Sequence, residues 1–531
     1  MRRITVLRGC LLVALFSAVP AAHAQRPLEE LKAEGRVDDD TVRGEAENVL
    51  TLRRVLQASA RSAPEILAAL ARERQADGRL LSTLGEFDLL FNGSGFSRVL
   101  GYYDGSHAEM RAYQPLSNNG GQVYAGYRVS RGDFPIYEDQ YFTNKLGEVK
   151  VGGVFSLLRD RLTDRRRTDR ALARNDVEIA GLERQMVAIG VQQRAIDAYL
   201  TWVSSGQRLA VYRDLLALAT SRQGGIERQI GLGMLPAIVA VENRQNVVQR
   251  QVLVVQAERT LDVAANDLSF FLRDADGRPI LPRSTQLPRD LPAIANPLPR
   301  VGGVDRIERP DLAAILVRVD KARAQRLLAI NDMRPRLDVN GEASKDLGSE
   351  GLGGPSRTPF ETKVGLTFSL PLQRRAARGR AAEADAKIDE LGRERGRLED
   401  KIVIEINRLG VRTAAADRQI ELAGLDVTLA DQLAEAERRR LFLGASDLLK
   451  VNLREQSALQ ARINLLDARY QFAALRGELI AATADEQQLG LETPTRSGVA
   501  DASPDRFSAD SPVSQASIRL SRERAALIAA A

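Results

Sequence analysis

The chain has 531 residues, 44% hydrophobic but only 5% aromatic with a single tryptophan, and 76 basic against 70 acidic residues give a formal net charge of +6. So even a balance carries no footprint of a nucleic-acid partner. Two histidines and one cysteine exclude His triads, disulfide frameworks and Cys/His zinc sites.

The first 24 residues carry Arg2, Arg3 and Arg8, an apolar run from Leu11 to Val19, and Ala22-His23-Ala24, a small-x-small cleavage pattern. Residues 1–24 therefore read as a signal peptide and the chain as exported. Its removal takes away Cys10 and leaves 73 basic and 70 acidic residues (76 less three arginines), a formal +3. No later segment approaches the ~20 apolar residues of a membrane-spanning helix.

After an N-terminal segment (25–50), two similar halves follow. "EVKVGGVFSLLRDRLTDRRR" at 148–167 has a counterpart in "ETKVGLTFSLPLQRRAARGR" at 361–380, each a strand-like run turning directly into an Arg-rich helix. Pro64-Glu65-Ile66 corresponds to Pro310-Asp311-Leu312, and Gly233 to Gly444. The first repeat (51–272) reads as a helix, strands at about 79–91 and 148–158, and a long helical hairpin. A segment with six prolines (273–303) reads as a linker. The second repeat (304–490) has a helix, strands at about 335–342 and 362–370, and another long hairpin. A Ser/Asp/Pro-rich tail (491–531) is expected to be partly disordered.

No proline falls between Pro135 and Pro236 or between Pro371 and Pro494, so long helices fit both windows. Ile388, Leu391, Leu398, Ile402 and Leu409 recur at coiled-coil spacing. Asp160–Ile230 and Leu372–Phe442, if continuous, each span roughly 105 Å at ~1.5 Å per residue.

The four expected strands alternate. Val364, Leu366, Phe368 and Leu370 face one way and Lys363, Gly365, Thr367 and Ser369 the other. Val149, Val151, Gly153, Phe155 and Leu157 form the matching side of the earlier copy. Leu337 and Val339 oppose Arg336, Asp338 and Asn340, and Leu81, Thr83, Gly85, Phe87 and Leu89 oppose Ser82, Glu86 and Asp88. Such alternation suits a solvated antiparallel sheet or a lipid-facing barrel with a wet lumen. The export signal and the absence of an apolar helix favour the barrel. Four strands cannot close one, so several chains must share it. The long loops, from about Asn92 to Gly147 and from about Gly341 to Phe360, then belong outside the cell and the helices in the periplasm.

In "LTLRRVLQASARSAPEILAA", "RPDLAA", "NDMRPRLDVNGE", "VGLTFSLPLQRRAARGR" and "RRRLFLGASDLLKVNLRE", taken in this order, the chain resembles the TolC-type outer-membrane factor family over roughly residues 50–485. The resemblance implies an α+β membrane protein. A homotrimeric β-barrel, four strands from each chain, would be continued by a long α-helical periplasmic barrel, with two internal repeats per chain. It implies a passive outer-membrane exit duct for efflux or type I secretion, coupled to a periplasmic adaptor and an inner-membrane transporter, with outer-membrane lipid as the other partner and no cofactor or catalysis. A soluble periplasmic coiled-coil scaffold is the alternative.

The resemblance makes the turns at Gly233 and Gly444 the adaptor-docking tips. Members of the family often carry acidic residues six and nine positions after the second turn glycine, where this chain has Lys450 and Leu453. Asp447, Lys450 and Glu242 are therefore gate candidates only, a solvated charge or a local cap being the simpler reading of each. Arg165, Arg166, Arg167, Arg374 and Arg375 follow the strands where a helix N-terminus disfavours cations, and are expected at a membrane rim near anionic headgroups. His107 lies in a polar loop, and "GSEGLGG" lacks the Lys-Ser/Thr of a phosphate-binding loop, so nothing catalytic is expected.

Overall fold

The computed structural model describes residues 49–294, 309–352 and 354–491. The expected signal peptide, nearly all of the 25–50 segment, the end of the Pro-rich segment and the tail past Leu491 lie outside them. In chain order the main elements are α1 (Leu52–Ser62), α2 (Pro64–Leu84), β1 (Leu90–Ser97), β2 (Ser106–Pro115), β3 (Gln122–Arg131), β4 (Glu148–Ser156), α3 (Arg165–Gly231) and α4 (Ile238–Ser269). The second half supplies α5 (Pro310–Asp332), β5 (Arg336–Asp346), β6 (Glu361–Ser369), α6 (Arg375–Phe442) and α7 (Leu448–Ala482).

Local chemistry sets these boundaries. Pro64 and Pro310 stand at the first positions of α2 and α5, where a missing amide costs nothing. The Asp164 side chain caps α3 by accepting from the Arg167 amide at 2.9 Å. α3 and α6 then run 67 and 68 residues without interruption, so each is roughly 100 Å long at ~1.5 Å per residue. Both end in the same C-cap. Gly233 and Gly444 have φ of +74° and +76°, and the following amides, Met234 and Ala445, reach back to the Gln229 and Arg440 carbonyls at 2.9 and 2.8 Å.

α3 is the central element, packing on α1, α2, α4, α5 and α7, while α6 packs on α5 and α7. The main core gathers Val55, Leu56, Val191, Leu200, Trp202, Val203 and Leu268 around α3. Nearer the turns the core shrinks to Ala430, Ala434, Ala458 and Ala461, which let α6 and α7 approach closely. Residues 273–294 of the Pro-rich segment lie on the helices: the Leu50 amide donates to the Gln286 carbonyl at 2.9 Å, Gln207 Nε2 donates to the Arg289 carbonyl at 2.7 Å, and Ile294 is buried.

Among the described residues the sheet is antiparallel with six strands in sequence order, β1 to β6, where four were expected. The strand read at about 79–91 is displaced: α2 continues to Leu84, a short 3-10 turn covers Gly85–Phe87, and β1 starts at Leu90. The alternating Leu81, Thr83 and Gly85 thus belong to the exposed end of a helix and its turn. The two further strands, β2 and β3, occupy what read as a long loop. Their connection through Asn118-Asn119-Gly120-Gly121 folds tightly against β4, and a Cβ on Gly121 would come within 1.8 Å of the Val154 carbonyl oxygen. The other three expected strands coincide with β4, β5 and β6.

Candidate functional site

The sheet reverses the ordinary relation of face to exposure. On one face Arg128 is 7% exposed, Glu148 5%, and Asp338 3%, while on the other Val364 is 75% exposed, Leu366 70%, and Phe91 64%. The registers make this a property of the whole sheet. Asn92, Arg111, Gly126, Lys150, Ser344 and Glu361 form one row, and Phe91, Ala112, Ala125, Val151, Ala343 and Thr362 the adjacent row on the opposite face. Polar groups meet within their own face: Arg128 pairs with Glu148 at 2.5 Å, Lys150 with the same carboxylate at 3.3 Å, and the Tyr124 hydroxyl donates to Glu342 at 2.7 Å. A surface that exposes valine, leucine and phenylalanine while enclosing ion pairs suits an apolar exterior and an aqueous interior. The expected alternation of Val149, Val151 and Phe155, of Val364, Leu366 and Phe368, and of Leu337 and Val339 falls on the apolar face.

Among the described residues no helix is long and apolar enough to cross a membrane, and no cluster of His, Cys, Asp and Glu is arranged for a metal.

Strand passes to helix through a braced junction. Asp160 and Arg374 both adopt left-handed backbone conformations, with φ of +68° and +51°. The Asp160 amide donates to Asn331 Oδ1 at 3.2 Å and Asn331 Nδ2 donates back to the Asp160 carboxylate at 2.9 Å, tying the two halves together. The five arginines expected at a membrane rim separate here. Arg167 is a brace, its guanidinium donating to the carbonyls of Asn118, Asp160 and Arg161 at 3.0, 2.8 and 3.0 Å. Arg374 donates to the Pro371 carbonyl at 3.2 Å. Arg165 is exposed with Asp169 at 3.6 Å, Arg375 is exposed, and Arg165 and Arg166 line a cleft of mixed charge with Arg159, Asp160, Asp164, Asp332 and Arg380.

At the far end of the long helices, Asp447 caps α7 by accepting from the Lys450 amide at 2.9 Å, and the Lys450 ammonium lies 3.0 Å from the same carboxylate. The two amide and ammonium contacts hold Asp447 below the usual carboxylate range although it is fully exposed. Glu242 lines a groove between α4 and α7 with Asn246, Gln249, Leu449 and Leu453. Asp447 and Lys450 therefore meet each other, and Glu242 stands apart on the other hairpin.

A more enclosed cluster lies behind these tips, and the sequence reading passed over it. Glu455 of α7 is fully buried and receives Arg222 from α3, Arg250 from α4 at 2.8 Å and Arg438 from α6 at 2.8 Å, so one carboxylate joins all four hairpin helices. Arg250 also donates to the Leu215 carbonyl at 2.9 Å, and Arg222 to Asn452 at 3.1 Å. Burial alone pushes the Glu455 carboxyl up, but Arg222, Arg438 and Arg250 outweigh it and hold it below its ordinary value. The signal was available: Leu448, Val451, Glu455 and Ala458 form one buried helical stripe, in which a carboxylate is out of place without partners.

Comparison with known proteins places this architecture. The outer membrane efflux protein family model matches residues 306–485, within the second half of the chain. Over that segment the chain is similar to the outer membrane efflux protein family. Solved structures share the fold of this chain at low identity. A membrane protein from Pseudomonas aeruginosa is 17% identical, with 82% of this chain and 93% of that one covered and a TM-score of 0.57. The Campylobacter jejuni CmeC outer membrane channel gives 13%, 85%, 92% and 0.57 in the same order. The outer membrane protein VceC from Vibrio cholerae gives 15%, 82%, 96% and 0.57. No curated protein matches the sequence.

Proposed function

We propose that the protein is the outer-membrane exit duct of a tripartite efflux or type I secretion system, passively conducting substrate delivered by a periplasmic adaptor and inner-membrane pump. The observation that carries this reading is the sheet with an exposed apolar face and an enclosed charged face, which runs directly into helices of roughly 100 Å. Lipid takes the apolar face and water the charged one, and the helices extend the wet path into the periplasm. A soluble scaffold leaves the exposed valine, leucine and phenylalanine face unexplained.

Association into a homotrimer is supported by what one chain leaves uncovered. Val241, Val248, Val252 and Val255 on α4 and Leu422, Leu425, Leu429 and Leu433 on α6 are apolar stripes at helical spacing, each residue at least half exposed. They lie at similar distances along the chain from Gly233 and Gly444, so the α4 stripe of one copy meets the α6 stripe of the next at one height. The tips at Gly233 and Gly444 receive the adaptor. Glu242, Asp447 and Lys450, repeated by the trimer, form charged rings at the entrance. Arg165, Arg166 and Arg375 are the rim residues facing headgroups.

The experiment is reconstitution of protein purified from outer membranes into a planar bilayer. A heat-modifiable trimer carrying ionic current is expected. A soluble species that neither inserts nor conducts would remove the duct reading.

A further inference from the structure

The described sheet has six strands, and the extra pair sits inside its hydrogen-bonded order. β2 pairs with β1 over eight residue pairs, from Leu90↔Tyr113 to Ser97↔Ser106, and β3 pairs with β4 from Gln122↔Val154 to Arg128↔Glu148. A path around the sheet from β1 to β4 must therefore cross β2 and β3. The added hairpin also obeys the two-sided pattern of its neighbours. Met110 and Tyr127 are cross-strand partners, 60% and 45% exposed, in the same apolar row as Val149, whereas Glu109 faces Arg128 on the charged side. A hairpin standing in water outside the membrane has no need to continue that apolar row.

The two ends of the sheet are unfinished. Every residue of β1 is exposed, as is all of β6 except Gly365, and neither strand has proline or a covering element. An even number of antiparallel strands leaves β1 and β6 pointing in opposite directions, so β6 of one copy extends the antiparallel ladder against β1 of the next. Open edges cannot remain in lipid, and a second copy of this chain supplies the complementary edge.

We infer that this protein forms an eighteen-stranded barrel, three copies each giving all six strands, with β2 and β3 as membrane-spanning staves. The inference rests on the trimeric duct reading and departs from the four strands per chain that the family resemblance implied. Diameter grows about linearly with strand number, so the barrel is roughly 1.5 times as wide as a twelve-stranded one. At ~4.8 Å between strands and ~40° tilt the backbone diameter is about 36 Å against about 24 Å, a mouth suited to bulky or polymeric cargo.

The test places tryptophan at Met110, Tyr127 and Val364 in separate full-length variants (M110W, Y127W, V364W), reconstituted in ordinary and in brominated phosphatidylcholine. Buried Trp202 serves as the constant background, and the native mass gives the number of chains. Added fluorescence quenched severalfold by brominated lipid at all three positions, in a three-chain assembly, is the expected result. Quenching at Val364 without quenching at Met110 and Tyr127 would put the hairpin outside the bilayer and overturn the inference, as would a two-chain assembly. Absence of quenching at Val364 as well would overturn the outer-membrane reading itself. Y127W keeps an aromatic side chain and guards against misfolding of M110W.

Discussion

At the residue scale, the distinctive group is Glu455, a fully buried carboxylate shared by Arg222, Arg250 and Arg438. Removing one side of a buried ion cluster leaves the other charges uncompensated, which typically costs about 3 kcal/mol or more. Glu455→Gln is therefore expected to loosen the two hairpins, lowering the thermal midpoint of the helices by circular dichroism and raising the frequency of open-channel events. Unchanged melting and unchanged gating would show that the cluster holds nothing. Its pH dependence has a definite sign. The folded carboxyl is depressed, so its stabilisation is complete above the unfolded value near 4.5 and is lost as pH falls from there through the folded value. Acid melts of wild type and Glu455→Gln should converge below that range and diverge above it. The turn glycines make a smaller claim. A Cβ on Gly233 or Gly444 meets nothing within 4 Å, so Gly→Ala at either costs only the left-handed backbone, about 1 kcal/mol. Asparagine there should cost less than alanine in the same melt, and the reverse order would mean that the side chain meets something.

At the element scale, β6 separates lipid from lumen within two neighbouring residues. Leu366 is on the apolar face and Thr367 on the charged face opposite Asp338. Leu366→Arg is expected to cost about 2–4 kcal/mol in bilayer-based unfolding, while Thr367→Arg should leave stability near wild type and shift ionic selectivity towards anions. Equal costs at the two positions would mean that the faces are misassigned. Much of this was legible in the sequence: the alternation in β4, β5 and β6 marks their faces, and the proline-free windows mark α3 and α6. The segment at 79–91 was misleading because Leu81, Thr83, Gly85, Phe87 and Leu89 have period two while the helix begun at Pro64 still has turns to run. β2 and β3 were hidden because their outward residues include Ala108, Ala112 and Ala125, whose small side chains barely raise the alternating signal. The Glu455 cluster escaped for a different reason. Its arginines lie 205 or more residues away on α3 and α4, or 17 away on α6, and only folding brings them together.

At the scale of the whole molecule, the chain is a sheet and a set of long helices in series, and in the proposed trimer neighbouring copies complete both. A passive series path is limited by its narrowest part, so a wide barrel affects current only when the tips are apart. Excising the β2–β3 hairpin tests that coupling. β1 and β4 are antiparallel to each other in the present sheet, so removal of two strands leaves edges that can still pair. With the tips held by Glu455, the excised protein should conduct much like the parent. In the Glu455→Gln background, where the tips separate, a barrel roughly two-thirds as wide has a little under half the cross-section, and single-channel conductance should fall by up to about half. Equal conductance with and without the hairpin in the loosened background would mean that β2 and β3 do not widen the path. A large loss in the latched protein would mean instead that the barrel, and not the helical tip, limits flow.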